Sequence, residues 1–239
     1  MINTRSTQDL LQGLHLADDA NAVLDKMQVL LKPLGVEFLC LNFLPRAGEH
    51  FQHAILASHI PRPWLDLYLR MNYATVDPAI RHCRYVVEPF EYLSAPYHAE
   101  KERRASEVVQ RASDFGLTQG LLVPIPGRAG NIGNVWMGCF AMSEVRTHLA
   151  FAHLIGLYGF QRLQKLYGPK TQSTPKLSVR ELDVLTWAAA GRSSWETGER
   201  LNISSRTVEW HLCRAVEKLG AKNRTQAVAI ALRDGLISI

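Results

Sequence analysis

Residues 204 to 219 read Ser-Ser-Arg-Thr-Val-Glu-Trp-His-Leu-Cys-Arg-Ala-Val-Glu-Lys-Leu. The structure predicted for the last quarter of the chain is built around this stretch. Its apolar residues recur at the spacing of a helix with one buried stripe. They are Val208, Leu212, Ala215, Val216 and Leu219. Ser204 or Ser205 provides an N-cap oxygen for a first-turn N–H. The stretch therefore predicts an amphipathic helix over about 204 to 219.

The opposite face of this predicted helix is polar and cationic. It carries Arg206, Glu209, Trp210, Cys213, Arg214 and Lys218. Such a mixture suits contacts with phosphates and with base edges. Taken alone, the same pattern is more typical of an ordinary amphipathic surface helix. The neighbouring segments decide between the two interpretations.

Three further helices are predicted around this one. The first spans about 178 to 190, where Ser178 and Glu181 have the spacing of a capping box and Gly191 follows the end. A short helix covers about 194 to 201, and a last helix covers 223 to 234. Two short helices joined by a tight turn, the second with a cationic outer face, predict a helix-turn-helix.

At these residues the chain resembles the LuxR-type DNA-binding domain. The motifs that carry the resemblance include Leu177-Ser-Val-Arg-Glu-Leu, Ile203-Ser-Ser-Arg-Thr-Val and Asn223-Arg-Thr-Gln-Ala. Thr197 departs from the isoleucine that is usual in the family. The resemblance implies that Glu209 and Cys213 contact bases, with Thr207 and Trp210 on the same DNA-binding surface. Phosphate contacts are expected from Arg206, Arg214, Lys218, Lys222 and Arg224. His211 is interpreted as structural rather than as a metal ligand.

Composition is compatible with a two-domain regulator. The 239 residues carry a net charge of +5, and residues 176 to 239 hold ten Lys and Arg against seven Asp and Glu. This modest basic bias fits nucleic acid without establishing it. Cys40, Cys83, Cys139 and Cys213 are scattered, which favours reduced thiols over disulfides or zinc. With no signal-peptide core and no apolar run of membrane-spanning length, we expect a cytoplasmic protein that does not contact the membrane.

The first 166 residues predict an α+β domain in which one sheet is covered by helices on both faces. Helices are predicted at 8–16, 20–31, 64–71, 78–84, 100–115 and 145–166. Strands are predicted at 36–44, 51–58, 120–125 and 135–142, with turns at 45–48 and 126–133 between paired strands. The expected order is this α+β domain at 1–166, a linker at 167–175 and an all-α helix-turn-helix domain at 176–239. The overall fold is thus an α-β-α sandwich followed by a helical domain.

Aromatic residues and one carboxylate concentrate between residues 64 and 97. Trp64, Tyr68, Tyr73 and Asp77 are compatible with a small pocket for an apolar molecule with a polar head. Spacing alone favours the alternative, in which the aromatics are core residues and Asp77 caps the helix that begins at Pro78.

This segment is similar to the autoinducer-binding domain of LuxR-type quorum-sensing regulators, which bind N-acyl-homoserine lactones. The resemblance implies that Trp64 donates its indole N–H to the lactone carbonyl and that Asp77 accepts the ligand amide N–H. It places Tyr68 and Val76 on the pocket wall. Tyr92 stands in place of a tryptophan beside the lactone ring, so it keeps an aromatic surface there.

Two further departures bear on the ligand. Ile60 replaces a tyrosine that bonds the amide carbonyl in many members, and Trp136 stands where members often carry serine or threonine. An inward Trp136 shortens the acyl pocket. The run from Asp77 to Arg84 also resembles rhizobial members that answer branched-chain or aryl homoserine lactones. We therefore expect a short, branched or aryl acyl group.

The resemblance also implies partners. A homodimer is expected on an inverted-repeat promoter site in double-stranded DNA, with helices 145–166 and 223–234 as candidate dimer surfaces and RNA polymerase as a possible further partner. Neither a catalytic residue set nor a phosphorylation receiver is predicted, and no cofactor or metal site is expected. A ligand-independent orphan regulator of the same fold remains the alternative, because of Ile60, Tyr92 and Trp136.

Overall fold

The computed structural model describes residues 4–45, 48–127, 131–167 and 176–238. These residues form two compact units, one containing the sheet and helices α1 to α8, and the other containing α9 to α12. Both predicted classes of domain, a mixed helix-and-sheet unit and an all-helical unit, are confirmed. Residues 168–175 of the predicted linker lie outside the described residues, and so do parts of both predicted turns, at 46–47 and 128–130.

The first unit is built on one antiparallel sheet of five strands in the order β2-β1-β5-β4-β3. The strands are β1 (Val36–Phe43), β2 (Ile55–His59), β3 (Phe90–Glu91), β4 (Gln119–Pro126) and β5 (Ile132–Cys139). The helices are α1 (Thr4–Leu16), α2 (Ala20–Leu31), α3 (Phe51–Ala54), α4 (Arg62–Arg70), α5 (Pro78–His82), α6 (Arg103–Ser113), α7 (Ser143–Thr147) and α8 (Leu149–Tyr167).

Alternation along the strands gives the sheet two different faces. On β1, Leu39 and Leu41 belong to an aliphatic core shared with α1, α2 and α8. Cys40 and Asn42, the residues between and after them, point to the other face. That face meets α3 to α6 through a second, aromatic cluster. The sheet is thus covered on both sides, as predicted.

Several elements differ from the sequence prediction. Phe51 to Ala54 forms one helical turn instead of the start of a strand, because a turn buries Phe51 and Ala54 on the same side. The predicted helix 145–166 is two helices, since His148 leaves the helical region at φ −116° and ψ 31°. The last strand ends at Cys139, and the two-residue strand β3 was not predicted.

The second unit contains α9 (Val179–Ala189), α10 (Ser194–Leu201), α11 (Ser205–Lys218) and α12 (Arg224–Arg233). Ser178 and Ser193 begin α9 and α10 with complete capping boxes, and Ser204 caps α11. A Cβ at Gly198 would lie 2.6 Å from the carbonyl oxygen of Ile203, so only glycine permits this approach of α10 to the turn. None of the described helices is long and apolar enough to cross a membrane.

Candidate functional site

A cavity lies between the aromatic face of the sheet and helices α3 to α6 in the first unit. It contains about 590 Å³ of space not filled by protein atoms, part of it open to solvent. Five of the six residues predicted for ligand binding line it: Trp64, Tyr68, Asp77, Tyr92 and Trp136. Val76 does not line the cavity. It packs against the surrounding aromatic cluster as a half-buried residue.

Asp77 is both a cap and a cavity residue. Its Oδ1 accepts a hydrogen bond of 2.9 Å from the backbone N–H of Ala79 at the start of α5, so the capping role predicted as an alternative is present. Its Oδ2 accepts a hydrogen bond of 2.8 Å from the Tyr68 hydroxyl. The residue is 5% exposed. One carboxylate thus caps α5 and also lines the cavity.

Burial dominates the electrostatics of this carboxylate. It raises the pKa of Asp77 above its ordinary value, although hydrogen bonds from Tyr68 and the α5 backbone and the charge of Arg81 act in the opposite direction. Arg81 itself forms its ion pair with Glu102, at 2.5 Å. Across the described part of the chain, no basic side chain is close enough to Asp77 for an ion pair. The carboxylate is desolvated and lacks a direct cationic partner.

Aromatic rings pack together around Trp64, which lines the same cavity as Asp77. The Trp64 ring centroid lies 5.6 Å from that of Tyr68, 6.0 Å from that of Tyr73 and 5.5 Å from that of Phe115. The hydroxyl of Tyr73 donates to Glu107 at 2.7 Å, outside the cavity lining, so this tyrosine is a core residue. Burial together with the nearby Asp77 raises the pKa of both Tyr68 and Tyr92, which therefore stay protonated and able to donate.

Trp136 faces the cavity from β5. Its backbone is paired with Cys40 of β1 and Leu122 of β4. A Cβ built on Gly138 would lie 2.3 Å from the Trp136 ring, and one built on Gly120 would lie 3.1 Å from its Nε1. The indole thus occupies room that these two glycines leave open. Trp136 lines the cavity as a half-buried residue, and its shortening of the pocket stays a prediction. Ile60, the other departure noted in the sequence, also lines the cavity.

Sequence reasoning missed the polar floor of the cavity. Asn42 and Asn134 face each other across β1 and β5, each is 1% exposed, and both line the cavity together with Cys40. They lie on neighbouring strands and meet through the pairing register, which cannot be read from the sequence. No local sequence motif marked them, because lone asparagines in strands have no fixed functional meaning.

The outer face of α11 is exposed as predicted. Arg206, Glu209, Trp210 and Cys213 all lie on the surface, and Trp210 is 59% exposed. The Glu209 carboxylate accepts a hydrogen bond from the Ser194 hydroxyl of α10, which ties it to the preceding helix. Thr207 participates in the cap of α11, since its Oγ1 lies 2.8 Å from Ser204 Oγ.

The remaining predicted DNA contacts fall into two groups. Lys222 is exposed at the end of the turn after α11, Arg224 donates to the carbonyl of Arg192, and Arg214 forms an exposed ion pair with Glu217 at 3.2 Å. Lys218 differs from these three. Its Nζ lies 2.7 Å from Oε2 of Glu181, a carboxylate that is 3% exposed. This ion pair gives Lys218, whose side chain is 31% exposed, a structural contact, and its phosphate contact stays a prediction.

Among the described residues, no three His, Cys, Asp or Glu side chains lie close enough together to hold a metal ion. His211 packs its ring edge-on to Trp210, with ring centroids 4.9 Å apart.

Comparisons with known proteins match both units. Residues 19–163 match the family described as "Autoinducer binding domain", and residues 175–231 match "Bacterial regulatory proteins, luxR family". The chain belongs to the LuxR family. It is an autoinducer-binding transcriptional regulator whose helix-turn-helix binds DNA and whose first domain takes a small-molecule effector.

Individual LuxR-family relatives cover nearly the whole chain. The transcriptional activator protein BjaR1 of Bradyrhizobium diazoefficiens is 37% identical over 98% of this chain and 97% of its own length. The quorum sensing-dependent transcriptional regulator RpaR of Rhodopseudomonas palustris is 35% identical over 92% of this chain and 90% of its own. SdiA of Escherichia coli has the same fold, with a TM-score of 0.68, 20% identity and coverage of 99% and 100%.

Proposed function

We propose that this protein is a ligand-responsive transcription factor that binds an N-acyl-homoserine lactone in the cavity and regulates promoters as a homodimer. The proposal rests on the carboxylate of Asp77, which is buried and accepts a hydrogen bond from Tyr68. Among the described residues it has no ion-pair partner. A buried carboxylate is costly unless its oxygens accept enough hydrogen bonds. An amide N–H from a ligand supplies such a bond and brings no charge.

The other proposed head-group contacts come from residues that line the same cavity. Trp64 carries the indole N–H that the family uses for the lactone carbonyl, and it lines the cavity beside Tyr68. Tyr92 adds an aromatic wall and a protonated hydroxyl. Ile60 leaves the amide carbonyl without the usual tyrosine donor. We therefore propose Asp77, Trp64 and Tyr68 as the principal head-group residues.

The proposed acyl group is short, branched or aryl. Support comes from Trp136, which lines the cavity from β5 and packs its indole over Gly120 and Gly138. A flat or compact acyl group fits against this ring better than a long straight chain, because the indole takes up volume that such a chain requires.

The proposed DNA interface is the outer face of α11 with its flanking cations. Glu209 is the candidate base reader, suited to a cytosine amine, and Cys213 and Trp210 lie on the same exposed surface. Arg206, Arg214, Lys218, Lys222 and Arg224 supply phosphate contacts. One such module reads only a few base pairs, so a dimer on an inverted repeat is proposed, formed through α8 and α12. Contact of the bound dimer with RNA polymerase is part of the same proposal.

The proposed switch is ligand-coupled stabilisation. A ligand that binds only the folded cavity stabilises the first domain by mass action, and the dimer then presents two recognition helices. We propose an autoinducer-binding domain at 1–166, a linker at 167–175 and a DNA-binding domain at 176–239. The proposed location of the protein is the cytoplasm.

The decisive experiment is thermal melting of the full-length protein against straight-chain, branched and aryl homoserine lactones. We expect the largest increase in melting temperature with a short branched or aryl member. Asp77→Asn and Trp64→Phe should reduce that shift, whereas Arg214→Met, on the other domain, should leave it unchanged. A protein that is folded and binds DNA but responds to no lactone would instead be an orphan regulator. A preference for long straight chains would contradict the proposed acyl class.

A further inference from the structure

Asn42 and Asn134 form a polar patch on the floor of an otherwise aromatic and aliphatic cavity. They are direct partners in the antiparallel register of β1 and β5 and are each 1% exposed. Burying amide side chains is unfavourable unless they are fully hydrogen-bonded. A cavity built only for hydrocarbon would be expected to carry leucine or valine at such positions.

The hydrogen bonds around the pair fix how the two amides are oriented. Nδ2 of Asn42 donates to the carbonyl of Phe43 at 2.9 Å, which leaves its Oδ1 turned toward Asn134. Nδ2 of Asn134 donates to that oxygen at 3.3 Å. The remaining contacts come from thiols, at 3.6 Å from Cys83 to Asn134 and 3.9 Å from Cys40 to Asn42.

These bonds leave the pair under-satisfied. A carboxamide nitrogen has two N–H donors, and each of these nitrogens uses one of them among the residues the structure describes. Thiols are weak donors, and burial raises the pKa of Cys83 to about 12, so it stays neutral. Two free N–H donors and poorly used oxygen lone pairs therefore lie at a cavity wall.

The pair lies away from the proposed head-group site. Asp77 caps the start of α5, and Cys83, which contacts Asn134, caps its end. Six residues of helix correspond to roughly 9 Å along the axis. On the sheet, Asn134 lies two residues before Trp136 on the same face, a spacing of about 7 Å. The amides are thus placed where the far part of a short acyl group would lie.

We propose that Asn42 and Asn134 form a second recognition point, which binds an oxygen atom carried on the acyl group far from the lactone. This inference rests on the proposed lactone function and adds a specificity to it. A hydroxyl or carbonyl oxygen there accepts a hydrogen bond from a free amide N–H of the pair. A hydroxyl can in addition donate a hydrogen bond to an Oδ1 atom of the pair. A plain hydrocarbon in the same place would leave those groups unpaired and would bind less tightly.

The test measures affinity for matched ligand pairs by titration calorimetry with the full-length protein. One pair is phenylacetyl- and (4-hydroxyphenyl)acetyl-homoserine lactone, and the other is hexanoyl- and 6-hydroxyhexanoyl-homoserine lactone. We expect the oxygen-bearing member of at least one pair to bind about tenfold more tightly or better, equivalent to about 1.4 kcal/mol. In Asn134→Leu and Asn42→Leu proteins, that ratio should fall to about one.

Two controls separate the possible failures. Asp77→Asn should weaken both members of a pair by the same factor and leave their ratio unchanged. If a leucine variant does not fold, Asn134→Ser, which shortens the side chain, should reduce the ratio in a folded protein. Equal affinity of both members for the unmodified protein would overturn this inference while leaving the lactone function in place. Binding of no lactone at all would overturn both.

Discussion

Two buried carboxylates of this protein, Asp77 and Glu181, have similar positions and opposite surroundings. Asp77 is the N-cap of α5 and Glu181 lies in the first turn of α9, with exposures of 5% and 3%. Glu181 accepts from the backbone N–H of Ser178 at 2.7 Å and from Lys218 at 2.7 Å. Asp77 accepts from a backbone N–H and from the neutral hydroxyl of Tyr68.

The pKa directions reflect this difference. Burial raises the pKa of Asp77 and outweighs its hydrogen bonds. Burial acts in the same direction on Glu181, but hydrogen bonds from Lys218 and Ser178 and the lysine charge outweigh it, so the pKa of Glu181 lies below its ordinary value. A compensated carboxylate stabilises its own domain, whereas an uncompensated one in a cavity is available to a ligand.

Removing the Lys218 cation should leave Glu181 without a cationic partner, as Asp77 is. We expect this change to have the largest effect on stability among the substitutions proposed below. In Lys218→Met, Glu181 stays buried without its charge partner, and we expect the helix-turn-helix domain to lose about 2 kcal/mol, reduced by the partial exposure of Lys218. Urea denaturation with hydrogen exchange of α9 and α11 measures the loss. The control Arg214→Met breaks the exposed Glu217 pair and should change stability by less than about 0.5 kcal/mol. Equal losses would show that Lys218 is an ordinary surface residue.

Removing the hydroxyl donor should sharpen the isolation of Asp77. Tyr68→Phe deletes the bond to Oδ2 and keeps the ring, so we expect the first domain to lose about 1 kcal/mol and the pKa of Asp77 to rise further. Tyr73→Phe is the matched control, because its hydroxyl binds Glu107 outside the cavity lining. Denaturation followed by tryptophan fluorescence compares the two. A larger loss in Tyr73→Phe would contradict the central position given to Asp77.

The two carboxylates should also give opposite pH dependences of stability, a smaller effect. Folded Asp77 binds its proton more tightly than the unfolded chain, so its contribution is full below about pH 3.8 and is lost as pH rises through the raised pKa. Asp77→Asn keeps a capping side chain, and ligand-free Asp77→Asn should gain stability relative to the unmodified protein as pH rises toward neutrality. Denaturation curves at a series of pH values test this, and a constant difference would exclude it.

For Glu181 the sign is reversed. Its folded pKa is lowered, so its contribution is present above about pH 4.5 and is lost as pH falls through the lowered value. The advantage of the unmodified protein over Glu181→Gln should therefore shrink on acidification. Hydrogen exchange of α9 at several pH values follows this domain. An advantage that grew in acid would contradict the assigned ion pair.

Local signals in the sequence predict the helices of the second unit and where most of them begin and end. Ser178 with Glu181, Gly191, and the apolar stripe of α11 are local signals, since capping and amphipathic periodicity act within a few residues. Most elements of the first domain were also predicted in order, although α3, β3 and the break between α7 and α8 were not. Trp64 and Tyr68 lie four residues apart on α4, and Asp77 follows nine residues later as the cap of α5. Those contacts lie close in sequence, so their pattern could be seen there.

The contacts between residues far apart in the sequence depend on the tertiary structure. Asn42 and Asn134 lie 92 residues apart and meet through strand register, and Lys218 reaches Glu181 across 37 residues. Neither pair leaves a local pattern, because strand pairing and helix packing depend on how the whole chain folds. The same reason explains why the sequence did not predict that Val76 lies beside the cavity lining or that Lys218 pairs with Glu181. Spacing predicts the face of an element, and packing decides what that face meets.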